Sequence, residues 1–221
     1  MKKGKKIRAL LMCLLATMIF AGCSDFDAKG YTQAYLDAMF QGETDALMSF
    51  EEGSRKSELE DQYEEYIAGF SQSLTEGLNL TEPTQVQCIL LCEEIFRSAR
   101  YHVEESEKIS GKEYQVTVEF SPSDVFVKWG EYMEENAVDI NERLESGEYQ
   151  GTEEEIREQV LQDIGAESLE LLDTAMMDAT YGEEEKMVLT IKREENGEFS
   201  LDDEEITDFT AKIMRLDEIL A

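Results

Sequence analysis

The order of hydrophobic periods along this chain predicts an α+β fold: a curved antiparallel sheet of about four strands, in two hairpins, covered by helices. Three observations carry that expectation. Apolar residues recur every three to four positions through most of the sequence, the mark of helices with one buried face. At 101–120 and again at 187–201 the period drops to two, as in strands with one face packed and one wet. Each of these stretches is folded back by a turn signal, so each reads as a hairpin, and hairpins with segregated helices make an α+β arrangement.

The first residues read as an address. Met1 to Arg8 is basic, with lysines at 2, 3, 5 and 6, and Ala9 to Phe20 is apolar except for Thr17. Such a run is too short for a bilayer core, which takes roughly 20 apolar residues, and reads as a secretory leader. Phe20-Ala21-Gly22-Cys23 resembles a bacterial lipobox, in which the cysteine takes a diacylglycerol on sulfur and becomes the mature N-terminus. The expected organisation is a signal peptide over 1–22, a lipid-anchored tether over 23–29 and a single domain over 30–221. The expected location is the outer face of the cell membrane, held by the lipid on Cys23. Two or more acyl chains are enough for stable anchoring, at about 0.8 kcal/mol per buried methylene.

Tyr31, Ala34, Tyr35, Ala38 and Met39 form the first helical stripe, and Gly42 ends it. Ala46, Leu47 and Phe50 suggest a short second helix over Glu43–Glu51. Leu59, Tyr63, Tyr66, Ile67, Phe70 and Leu74 make a longer one. Thr81-Glu82-Pro83 is a helix start, with proline where its missing N–H costs nothing. The segment Val86–Phe96 is apolar on most sides and is expected to be buried. Tyr101 and Val103, then Tyr114, Val116, Val118 and Phe120, alternate with polar residues around a turn at Ser110-Gly111. Ser121-Pro122 offers a cap for a helix striped by Val125, Phe126, Trp129, Tyr132, Met133, Ala137, Ile140 and Leu144. Thr152-Glu153-Glu154-Glu155 has capping-box spacing and opens a helix running to about Thr180. These two form an antiparallel pair inserted, over about 123–180, between the hairpins. Met187, Leu189 and Ile191 lead into Asn196-Gly197, a hairpin turn because both positions favour positive φ, and Phe199 and Leu201 continue the partner strand. Asp202 with Glu205 can cap a last helix striped from Ile206 to Leu220.

Acidic residues number 51 against 20 basic ones, a net charge of −31. Without the five basic residues of the leader (Lys2, Lys3, Lys5, Lys6, Arg8), 15 oppose 51, a net of −36. Nucleic acid is excluded as a partner by the sign of the charge, and so is adhesion to anionic lipid by a basic patch. Cationic ligands and weak association with divalent cations are favoured. Once Cys13 leaves with the leader and Cys23 takes lipid, Cys88 and Cys92 remain. Their i,i+4 spacing suits a disulfide poorly and supplies half of a zinc site, so they read as small buried side chains.

Tyr31 to Ala38 followed by Gln41-Gly42-Glu43, the strand Tyr114 to Pro122, and Glu195 to Asp202 together resemble a family of lipoproteins of Gram-positive, Clostridia-type bacteria. Its exported part is similar to cystatin-like or nuclear transport factor 2-like domains. The resemblance implies a concave sheet face under helices, which in that superfamily often binds ligands and in some members catalyses; it supplies no activity of its own, and fold does not set function.

His102 is the sole histidine and falls on the polar face of a strand, where a solvated or hydrogen-bonded role is the plainer one. No phosphate loop, HExxH or EF-hand spacing occurs, so no cofactor and no metal are expected. Trp129, Phe126 and Tyr132, with Tyr114 on the strand, are the candidates for lining a ligand pocket, though helix-spaced aromatics are more often core. The expected function is a lipid-anchored, non-catalytic binding or interaction module whose ligand is a protein, a cell-wall component or a small molecule. The alternatives are an enzyme using a concave pocket, with tyrosine and carboxylate as acid and base, and a structural envelope protein.

Overall fold

The structure, a computed structural model, describes residues 26–50, 55–78, 80–195 and 197–219. The leader, Cys23 and Asn196 lie outside the described residues. Helix α1 (Ala28–Gln41) starts on Asp27, whose carboxylate accepts the Gly30 N–H at 2.9 Å, inside the stretch expected as tether. It is buried on more than its predicted stripe, adding Thr32, Leu36 and Phe40, because sheet and helices enclose it. Gly42 ends it at φ 71, where a Cβ would also meet the Tyr63 ring at 2.8 Å.

The short helix expected at 43–51 is one 3₁₀ turn, Leu47–Ser49. So few residues cannot repay helix nucleation, and the turn serves to bury Leu47. Helix α2 (Lys56–Leu74) packs against α3 (Glu82–Arg97), which begins on Thr81 as predicted. Helix α3 departs from the expectation of all-round burial: Cys88, Cys92, Ile95 and Phe96 are enclosed, while Val86 and Leu90 are 53% and 54% exposed. Packing neighbours cover one side of it only, and hydrophobic composition could not say which.

Strands β1 (Arg100–Ser110) and β2 (Glu113–Ser121) pair antiparallel, with Tyr101 opposite Phe120 and Val103 opposite Val118. A bulge between Val103 and Glu105 breaks the register, and the rest of β1 is exposed. Helix α4 (Val125–Ser146) is capped at Asp124 and not at Ser121, since Pro122 and an isolated bridge from Ser123 to Tyr181 keep the chain extended first. Helix α5 (Glu153–Asp178) has the predicted box, with the Thr152 N–H donating to Glu155 at 2.7 Å.

Strand β3 (Glu185–Arg193) returns to lie beside β2, and β4 (Phe199–Leu201) beside β3, giving an open antiparallel sheet in the order β1-β2-β3-β4. The helical pair is therefore an excursion between two adjacent strands. Helix α6 (Asp203–Ile213) is capped by Asp202 and ends earlier than its apolar stripe, because Arg215 turns left-handed at φ 49 before a 3₁₀ turn, Leu216–Glu218.

The core joins α1, α3, the sheet and α6 through aromatic contacts: Phe40 to Phe96 at 5.7 Å, Phe40 to Phe209 at 6.0 Å and Phe120 to Phe209 at 5.1 Å. Ile140 and Tyr149, in the outer part of the α4–α5 arm, are buried but belong to no part of that core. The arm holds its far half together by itself.

Candidate functional site

The sheet face under the helices is filled by its own side chains. Val116, Val118, Phe120, Leu189 and Ile191 are all buried there against α1 and α6, so the position where the resemblance implied a pocket is solid. Among the described residues, concave space lies instead between the end of α2 and the start of α3, a groove of about 820 Å³ lined by Ser71, Gln72, Thr75, Gln85 and Ile89 among others, and on the α4–α5 arm; of these two grooves, the arm's is the one lined by several carboxylates. Tyr132, Glu135, Asn136 and Asp139 on α4 face Glu167, Glu170, Leu171 and Thr174 on α5 across a groove of about 540 Å³. The three-and-four spacing on each helix brings these eight residues to one seam.

Arg143 braces the floor of that seam. Its guanidinium reaches Asp139 at 2.9 Å, Asp163 at 3.3 Å and Glu167 at 2.8 Å. Asn136 donates to Glu167 at 2.8 Å and buries its own Oδ1 without a hydrogen-bond partner, and Tyr149 donates to Asp163 at 2.9 Å. Burial and that carboxylate push the Tyr149 hydroxyl up to about 12, so it stays a donor. One guanidinium therefore serves three carboxylates while Glu135 and Glu170 add charge to the rim. Such a groove favours a cation and repels an anion.

The candidate pocket residues do not meet in one place. Tyr132 lines the groove and donates to Asp178 at 3.0 Å; Trp129 sits just inside the arm and donates its indole N–H to the Ser168 carbonyl at 2.9 Å. Phe126 is wholly buried against Phe70 at 5.5 Å, a core residue. Tyr114 belongs to a different aromatic group at the far end of β2, with Phe26 and Phe199 at 5.5 and 5.6 Å. The groove's acids and Arg143 were not singled out in the sequence. The available signal was the i,i+4 pair Asp139–Arg143, one among many charged pairs in so acidic a chain.

Two other clusters hold reactive groups. On the open sheet face His102, Glu119 and Lys186 are cross-strand neighbours on β1, β2 and β3, with Glu104 beside them. The donor atoms of His102, Glu104 and Glu119 lie within 4.8 Å of one another, a set able to hold a divalent ion. Lys186 occupies that position, 2.6 Å from Glu104 and 3.2 Å from Glu119, and its hydrogen bond holds the Glu104 carboxyl below the usual range. The second cluster is Cys88 and Cys92, both buried free thiols beside Ser71. The hydrogen bond to Cys88 and burial push the Cys92 thiol up, which keeps it protonated and inert. Among the described residues no helix is long and apolar enough to cross a membrane.

With this geometry in view, the chain resembles a solved structure from Bacillus subtilis. That protein is YcdA, itself a predicted lipoprotein; the two share a TM-score of 0.51 at 14% identity over 85% of this chain. The match spans 56% of YcdA, little more than half its length, and shows a common fold. No protein-family profile matches the chain, and no curated protein matches it.

Proposed function

We propose that this chain is a lipid-anchored protein of the outer face of the cell membrane that acts as a non-catalytic interaction module, with the acid-lined groove of the α4–α5 arm as its contact surface. The basic leader and Phe20-Ala21-Gly22-Cys23 support the anchor, and the shared fold with YcdA is in keeping with it. The partner is a cationic group, such as a basic segment of another envelope protein. The observation that carries this reading is the arm itself: it keeps four carboxylates, Glu135, Asp139, Glu167 and Glu170, along one open seam, two of them, Asp139 and Glu167, held by Arg143. Charge of that sign, displayed on a braced surface, raises the rate and selectivity of association with cations.

Two measurements test it. Mass spectrometry of the mature N-terminus is expected to find an acylated Cys23; an intact leader overturns the anchor. Calorimetric titration with an oligolysine peptide at low salt is expected to show binding that is lost on adding salt and in the variant Glu135→Lys/Glu170→Lys. Equal binding by that variant assigns the heat to the diffuse surface charge and overturns the groove.

A further inference from the structure

Phe26 lies three residues beyond Cys23 and is firmly seated. Its ring stacks on Phe199 at 4.1 Å and meets Tyr114 and Tyr31 at 5.5 Å and Phe50 at 6.5 Å. These partners come from the start of β2, the start of β4, α1 and the 3₁₀ turn, so the chain is clamped to one end of the sheet. A chain extends at most about 3.6 Å per residue, so Cys23 stands within roughly 11 Å of the clamp whatever path residues 24 and 25 take.

Both hairpin tips are at that same end. Lys108 is the cross-strand partner of Tyr114; beyond it Ile109 and Ser110 end β1, and Gly111 and Lys112 form the turn. The Arg193 N–H donates to the Lys112 carbonyl at 2.8 Å, which ties the β3–β4 turn alongside. Ile109 is 46% exposed at this tip and stands between two exposed lysines.

We propose that this tip, Lys108-Ile109-Ser110-Gly111-Lys112, docks on the phospholipid bilayer, with Ile109 in the headgroup region and the two lysines against lipid phosphates. The inference rests on the lipid tether of the preceding reading and adds the orientation that reading leaves open. The tether supplies the association, so the tip needs little affinity of its own; an exposed isoleucine flanked by lysines suits a wet apolar boundary bearing negative charge. The tip is not a basic patch, since Glu107 and Glu113 flank its lysines and Glu194, Glu195 and Glu198 belong to the adjoining turn; the tether holds it at the surface, and each lysine acts only on a phosphate in contact with it, well inside a Debye length of about 8 Å at physiological salt. The root of the arm joins the sheet beyond the pair Phe120–Glu185, at the opposite end of β2 from Tyr114. Six residue steps of strand separate those ends, about 20 Å, so docking leaves the root of the groove-bearing arm on the side away from the lipid.

The test uses the full lipidated chain in phospholipid vesicles. Gly111→Cys, where a side chain meets no neighbour and Ile109 is kept, and, as a control at the opposite end, Glu184→Cys are labelled with a nitroxide; Cys88 and Cys92 are buried and do not compete. Power saturation against oxygen and a water-soluble nickel chelate reads depth. The label at 111 is expected to favour oxygen and the label at 184 the chelate. Immersion at 111 only when phosphatidylglycerol is present supports the inference through the lysines, and immersion in pure phosphatidylcholine supports it through the isoleucine. A label at 111 as accessible to the chelate as the one at 184, in protein whose Cys23 is acylated by mass, overturns the docking and leaves the anchor standing. An unacylated Cys23 overturns both.

Discussion

Asp124 shows how one side chain can take a different job from the one its position suggests. It stands at the N-cap of α4 but its side chain makes no cap hydrogen bond there, accepting instead the Thr180 N–H and hydroxyl, both at 2.6 Å, with Lys128 of the same helix at 3.5 Å. Burial works against its charge, but the Thr180 hydrogen bonds outweigh it and hold the carboxyl below the usual range. A depressed carboxylate contributes stability above its unfolded pKa of about 3.9, and that contribution is lost as pH falls through the lower folded value. Asp124→Asn is therefore expected to be less stable than the parent at pH 7, with the gap closing below about pH 4. Urea unfolding followed by Trp129 fluorescence across that range checks it; a gap that does not depend on pH refutes the account. Glu205 makes a comparable clasp, accepting the Thr190 N–H and hydroxyl where β4 has already left the edge of β3. Glu205→Ala strands that buried N–H and is expected to cost about 1–3 kcal/mol in the same assay. Phe126, fully enclosed, is expected to cost about 3–5 kcal/mol when cut to alanine, as a core ring does and a pocket lining does not.

Among the elements, the α4–α5 arm is the one whose integrity rests on charge. Its root is packed through Phe126, Leu169, Leu172 and Ala175, whereas beyond Ile140 the arm has Tyr149 and the carboxylates around Arg143. Replacing Arg143 by leucine leaves Asp139, Asp163 and Glu167 facing one another without a cation. Hydrogen exchange is expected to accelerate in residues 136–165 and to stay unchanged in β2 and β3, since locally stabilised segments open on their own. Acceleration throughout the sheet would show that the arm and the core unfold as one. The elements also mark how far the sequence could be read. β2 was legible because its alternation continues for its full length with one face buried, and α5 because Thr152 and Glu155 satisfy each other locally. The start of α4 and the end of α6 were not, because Ser123 pairs with Tyr181 and Arg215 turns left-handed under tertiary contacts that no local pattern records.

For the molecule as a whole, charge is the governing quantity. With 51 acidic and 20 basic residues the compact state repels itself, and unfolding relieves that repulsion. Adding monovalent salt at pH 7 shortens the Debye length from about 10 Å at 0.1 M to about 3 Å at 1 M, so Tm is expected to rise with salt over that range. A flat or falling Tm would mean that the ion pairs, Lys186 with Glu104 and Glu119 among them, contribute more than the net repulsion costs.

Periodicity alone determined the class of this protein, because helix and strand patterns depend on which residues a surface must hide, and that is written locally. The four strands, their hairpins and the inserted helical pair follow from it. Tertiary structure alone decided that β3 lies against β2, that the sheet's covered face is filled, that Phe126 is core while Tyr132 reaches a groove, and that Phe26 is pinned by Tyr114 and Phe199 at the end of the sheet where the β1–β2 turn lies. Each of these depends on distances between residues far apart in the chain, and those are set by packing, which burial patterns constrain but do not specify.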